Sequence, residues 1–99
     1  IVTLADRTPA SRNGATFARA LEMPEMVTNS LQEFEDLAVR VATDRALHLA
    51  WRAEVDRNRL TAPLFDAKRF TRGFELAIEA MWEQAVAGTR SRIQIETVL

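Results

Sequence analysis

The chain has 99 residues, 47% of them apolar and 27% charged, with 13 basic and 14 acidic side chains and a formal charge of −1. This is globular composition rather than the high-charge, low-apolar profile of disorder, and the balanced charge gives no reason to expect nucleic acid or an anionic membrane as partner. The lack of cysteine excludes disulfides, thiolate metal sites and cysteine nucleophiles, and no apolar run approaches the roughly 20 residues that span a bilayer.

Ile1 to Leu4 is β-branched and apolar, and Asp6-Arg7-Thr8-Pro9 breaks it, the pattern of a buried strand over 1–4 running into a loop. A single strand leaves its backbone groups unpaired, and no second convincing strand follows. Its neighbours are therefore expected in sequence upstream of Ile1. The start, which has neither methionine nor a signal sequence, reads as the cut edge of a longer protein. A chain this short has a thin stability margin, so contacts with partners, self-association included, are expected.

Apolar positions between Ala10 and Met23 predict a first helix over about 10–22, stopped by Pro24, with Gly14 as an unexplained weak point. Ser30 followed by Glu33 is a capping box. Behind it Leu31, Phe34, Leu37, Ala38 and Val41 repeat at helical steps and predict a second helix over 31–42. Thr43 can cap a third over 44–58, with Leu47, Ala50, Trp51 and Val55 as its apolar stripe, Arg52 paired to Asp56 outside and fraying near Asn58. Leu60 to Phe65 is apolar but holds Pro63, and so predicts a packed loop. Asp66 then caps a long helix over 67–87, along which Phe70, Phe74, Ala77, Ile78, Met81, Trp82 and Ala85 recur, and Gly88 ends it. Residues 89–99 form a tail in which Ile93 to Val98 alternates like a strand.

Few residues are arranged for chemistry. His48 is the only histidine, so no histidine triad or multi-histidine metal site can be assembled, and a structural or surface role is expected for it. Glu33 is accounted for by the capping box, and its neighbour Asp36 by a pairing with Arg40 four residues on. Glu75, Glu79 and Glu83 share one helix face and are read as solvated or as meeting basic partners. Lys68, Arg69 and Arg72 are read as a solvated or ion-paired turn rather than a phosphate site. Trp51, Trp82, Phe34, Phe65, Phe70 and Phe74 are read as core rather than as a stacking platform. The loop from Thr8 to Arg12 is different in kind. It follows a strand and opens a helix, where open α/β sheets gather ligands. Ser11 offers a hydroxyl and Arg12 a planar fork of donors to a phosphate or carboxylate; the competing role is to cap and anchor the helix.

In order, VTL at Val2 to Leu4, ASR at Ala10 to Arg12, LEMPEMV at Leu21 to Val27, SLQEFEDLAVRVATD at Ser30 to Asp44 and NRLTAPLFDAKRFTRGFELAIEAMWEQAVAG at Asn58 to Gly88 form a specific string of motifs. The string resembles the C-terminal end of the catalytic region of the O-linked N-acetylglucosamine transferases, the SPINDLY-like family with tetratricopeptide repeats, from Ile1 to about Gly88 without a gap. The APLFD loop at Ala62 to Asp66, the helix ending in Met81-Trp82-Glu83 and the ASR turn are its most specific parts. Where the family usually has Pro-Gly, this chain has Ala5-Asp6; where valine and glycine are common, it has Asn13 and Glu22.

The resemblance implies a fold that is mainly α in this stretch with one N-terminal strand. It would be the closing part of the C-terminal Rossmann-like lobe of a two-lobed GT-B α/β glycosyltransferase, with residues 1–88 in the nucleotide-binding lobe and the long last helix packing back across the lobes. It implies a cytoplasmic enzyme that transfers N-acetylglucosamine from UDP-GlcNAc to serine or threonine of protein acceptors, with no metal or other cofactor. The rest of the parent catalytic domain would be its partner. The family's nucleotide-contacting histidine, threonine and aspartate and its catalytic lysine would precede Ile1, which leaves this stretch inactive alone. Thr8, Ser11 and Arg12 are its approach to the donor site. Some relatives transfer another sugar, such as fucose, so the donor sugar stays open. The competing reading is a stand-alone helical interaction or dimerisation module without nucleotide binding.

Overall fold

A computed structural model describes residues 1–95. The elements in order are β1 (Thr3–Leu4), α1 (Pro9–Ala20), a 3-10 turn (Pro24–Met26), β2 (Val27–Thr28), α2 (Leu31–Thr43), α3 (Arg45–Asn58), a second 3-10 turn (Pro63–Phe65) and α4 (Ala67–Ala87). They fall into two compact units, the first spanning Ile1–Phe65 and the second starting at Asp66.

In the first unit the opening strand has its neighbour inside the chain. β1 pairs in parallel with β2, Thr3 opposite Val27 and Leu4 opposite Thr28, and the ladder continues through Ala5 N–H to Thr28 O at 2.9 Å. This corrects the expectation that every partner strand lies upstream. Parallel strands need a crossover between them, and α1 supplies it, so β1, α1 and β2 form a βαβ unit. Thr28 is buried, and its hydroxyl donates to Thr3 O at 2.9 Å, which adds a side-chain bond to a very short ladder.

Gly14 is explained by how α1 lies on β1. A Cβ at Gly14 would sit 2.9 Å from Thr3 Cβ and closer still to Thr3 Oγ1, so only glycine allows helix and strand to approach this far. The helix stops at Ala20, two residues earlier than expected, and not because of Pro24. Glu22 N–H reaches Arg19 O and Met23 N–H reaches Ala18 O, both at 2.9 Å, while Glu22 takes φ 62°. This is the Schellman ending, with glutamate in the left-handed position that glycine usually fills.

That turn places Met23 in the core. Ala18, Met23 and Met26 form the buried cluster, and Leu21, Val27, Trp51 and Val55 pack against it. Trp51 therefore has the core role predicted for it. Between α2 and α3 the cap is Asp44, not Thr43. Asp44 N–H donates to Arg40 O to close α2, and Asp44 Oδ1 accepts Leu47 N–H at 3.0 Å to open α3. Thr43 instead turns its hydroxyl back to Val39 O within α2. The end of α3 is pinned rather than frayed, because Asn58 Nδ2 donates to Leu21 O at 3.0 Å and Asn58 O accepts Ala62 N–H. Ala62 is buried beneath this turn, as a packed loop requires.

In the second unit Asp66 Oδ1 accepts Arg69 N–H at 2.9 Å, and α4 ends at Gly88 with φ 67°. The chain then folds back. Gln84 clasps Ser91 through two hydrogen bonds of 2.9 Å, one to the hydroxyl and one from the backbone N–H. Residues 93–95 have no strand structure, and the remainder of the Ile93 to Val98 pattern lies outside the described residues. The aromatic stripe of α4 is not core here. Phe70, Phe74 and Trp82 are 58–73% exposed, and the Phe70 and Phe74 rings stack with centroids 6.3 Å apart.

Candidate functional site at the carboxyl edge of the strand pair

Because β1 and β2 are parallel and in register, both deliver the chain to the same edge. β1 leads through residues 5–8 into α1, and β2 leads through Asn29 and Ser30 into α2. Two helix N-termini, with their partial positive charge, therefore open at one edge. Sequence reading found the first turn and missed the second. The signal for the second was the pair Val27-Thr28 directly before a capping box, too short to register as a strand.

The two N-termini differ. At α2, Ser30 Oγ accepts Glu33 N–H at 3.2 Å while Glu33 Oε2 accepts Asn29 N–H at 2.8 Å, so a carboxylate from the chain already occupies this end. At α1 the first turn holds no acidic residue. Thr8 is its N-cap, with Oγ1 accepting Ser11 N–H at 3.3 Å. The Thr8 hydroxyl donates to Ser11 Oγ at 3.0 Å, and the Ser11 hydroxyl donates to Thr8 O at 2.8 Å.

Thr8 and Ser11 thus spend both hydroxyl protons on each other, which is the capping and anchoring alternative. Arg12 is only partly engaged. Its Nε donates to Asp6 O at 2.8 Å, which fixes the guanidinium beside the turn, and among the described residues its terminal nitrogens have no hydrogen-bond or ion-pair partner. Pro9 has no N–H to offer, and Ala10 N–H has no partner among the described residues. One backbone donor and one guanidinium edge face solvent at a helix N-terminus, an arrangement suited to phosphate or carboxylate oxygens.

The other groups that sequence singled out do not converge on this edge. His48 is exposed on α3. Asp36 accepts from Gln32 Nε2 at 2.9 Å rather than pairing with Arg40, and Asp56 lies 3.9 Å from Arg59 rather than pairing with Arg52, because the three-residue step brings that guanidinium closer. Arg72 pairs with Glu75 at 3.5 Å within α4. Among the described residues no three His, Asp or Glu side chains are grouped to hold a metal, and no helix is long and apolar enough to cross a membrane.

The family profile of glycosyl transferase family 41 matches residues 1–74, the whole first unit and the opening of α4. The chain belongs to glycosyl transferase family 41. This is the family expected from the ordered motifs. The family 41 chain is 37% identical over 89 residues to a UDP-N-acetylglucosamine--peptide N-acetylglucosaminyltransferase of Caenorhabditis elegans, which covers 89% of this chain and 8% of that relative. It is 36% identical over 63 residues to the probable UDP-N-acetylglucosamine--peptide N-acetylglucosaminyltransferase SEC of Arabidopsis thaliana, covering 64% of this chain and 6% of the relative. The chain thus spans less than a tenth of the length of these relatives.

Proposed function

We propose that this chain is the closing segment of the nucleotide-binding lobe of a cytoplasmic, GT-B-type protein glycosyltransferase that moves N-acetylglucosamine from UDP-GlcNAc to serine or threonine hydroxyls of protein acceptors. On this reading the 99 residues are inactive without the rest of the catalytic domain. The observation that carries it is the 37% identity across 89% of the chain to a peptide N-acetylglucosaminyltransferase. The βαβ arrangement, with a turn at the carboxyl edge of parallel strands, is the setting in which open α/β sheets bind nucleotides, and it supports the same reading.

In such a transfer the acceptor hydroxyl oxygen bonds to the anomeric carbon and gives up its proton to a base outside this segment or to the leaving diphosphate, while the bond from that carbon to the diphosphate oxygen breaks and UDP leaves with its electron pair. Charge develops on the diphosphate, so donors placed there before reaction favour departure. Arg12 and Ala10 N–H are the groups of this chain suited to that role. Thr8 and Ser11 hold the turn that presents them, through their mutual hydrogen bonds.

The test is calorimetric titration of UDP into a longer polypeptide that contains this segment. Saturable binding on the order of micromolar is expected, weakened about tenfold by Arg12→Ala, the loss of roughly one charge-assisted hydrogen bond. Absence of UDP binding sinks the transferase reading. Binding that Arg12→Ala leaves unchanged keeps the enzyme and removes Arg12 from its donor site.

A further inference from the structure

The fold compels a glycine at position 14, because α1 lies too close to Thr3 for a Cβ there. The residue before it is Asn13, and of Asn13, Asn29 and Asn58 it alone precedes a glycine. That pair carries chemistry of its own, since asparagine is a thermolabile side chain and no Cβ shields the Gly14 nitrogen beside it. In an unfolded chain this nitrogen attacks Asn13 Cγ. The N–Cγ bond forms, the Cγ–Nδ2 bond breaks, and ammonia leaves with the amide proton. Water then opens the succinimide at either carbonyl, giving aspartate or isoaspartate, and in isoaspartate the backbone runs through the side chain and is longer by a methylene.

We propose that Asn13-Gly14 is a self-modification site gated by α1, silent in the folded chain and, once isoaspartate forms, a bar to rebuilding the βαβ unit. Asn13 is exposed, so burial does not protect it. The helix does. Gly14 N–H is directed at Ala10 O four residues back, and the Asn13 Cβ tilts toward the helix N-terminus, away from the nitrogen that would have to reach its Cγ. The close approach of Gly14 to Thr3 holds this stretch of α1 on β1, so the gate opens only when α1 unfolds locally. The isoaspartyl product does not fit again. A methylene inserted at residue 13 displaces Gly14 from the one place where it clears Thr3, and moves Ala15 and Ala18, 1% and 8% exposed, off the buried face. The gate rests on α1 and β1 alone and stands or falls independently of the transferase reading.

The full 99-residue chain is incubated in mildly alkaline buffer with and without denaturing urea and followed by mass spectrometry of the tryptic peptides that carry Asn13 and Asn29. In urea Asn13 should be lost faster than Asn29, which precedes Ser30. In buffer its loss should be at least about tenfold slower, in proportion to the share of chains with α1 open. Met23→Ala, which empties the core that holds Ala18 of α1, should return it toward the urea rate without denaturant. After urea is removed, the chromatographically separated isoaspartyl chain should fail to regain the far-UV circular dichroism of the unmodified chain. Asn13→Asp, with the same charge and an ordinary backbone, should regain it. Equal loss of Asn13 in buffer and in urea overturns the gate, and loss no faster than that of Asn29 in urea overturns the site. Refolding of the isoaspartyl chain, or an equal failure of Asn13→Asp, overturns the bar to refolding.

Discussion

At the residue scale, Glu22 stands where a glycine would be at ease, and Gly14 stands where only a glycine fits. Glu22 ends α1 in the left-handed region at φ 62°, where a Cβ is unfavourable, and α4 ends in the same way on Gly88 at φ 67°. Glu22→Gly is expected to raise stability by about 0.5–1 kcal/mol, relief of the left-handed strain exceeding the extra unfolded-state entropy of glycine. Urea denaturation checks it; a lower midpoint would mean that the Glu22 side chain contributes something the geometry does not reveal. Gly14 gives the opposite case. Alanine is the better helix former by about 1 kcal/mol, yet Gly14→Ala should destabilise the chain by about 1–3 kcal/mol, because its Cβ meets Thr3. Removing the Thr3 hydroxyl and methyl by Thr3→Ala should recover part of that loss in the double variant. Neither position could be judged from sequence, since a glycine in a helix and a glutamate after one become informative only when neighbour and φ are known. Thr8, Ser11 and Arg12 were legible as a turn, because a strand pattern and a Thr-Pro break located it. That two of the three spend their hydroxyl protons on each other was not.

At the element scale, boundaries were legible where a side chain signals to a backbone group a fixed distance away. Ser30 with Glu33 and Asp66 with Arg69 are such pairs, and both make the bonds their spacing announced. The junction of α2 and α3 failed because Thr43 and Asp44 are both good caps and adjacent. The aspartate prevails since it can close one helix with its N–H and open the next with its carboxylate. Asp44→Ala should therefore cost about 1 kcal/mol, whereas Thr43→Ala, which removes only an exposed bond back to Val39 O, should stay within about 0.5 kcal/mol of the original. Equal losses at the two positions in thermal melts would contradict the cap assignment. β2 escaped notice for a different reason. Two residues cannot show an alternating pattern, and the strand is defined by its partner at Thr3 and Leu4 rather than by its own sequence.

At the scale of the whole molecule, the helical character and the family were legible because they are spread over many positions, but the size of the core was not. Helical spacing marks which residues can be buried; burial itself depends on what lies opposite. Of the stripes that sequence assigned to a core, Trp51 and Val55 reach one, whereas Phe70, Phe74 and Trp82 remain exposed. Among the described residues the buried apolar set is Ala15, Ala18, Met23, Met26 and Ala62, so two methionines supply its only large side chains. Met23 is fully buried, placed there by the turn at Glu22. Met23→Ala should cost about 2–5 kcal/mol in transfer and cavity terms. A chain of this length has a stability of about 5–15 kcal/mol at most, and with so small a core the low end applies, so one truncation consumes much or all of it. Trp51 packs on the Met23 cluster, and its fluorescence in a Trp82→Phe background isolates the first unit. In that background Met23→Ala should abolish the cooperative urea transition or move it to well under half its midpoint. An intact transition would show that stabilisation of the first unit lies outside the methionine cluster.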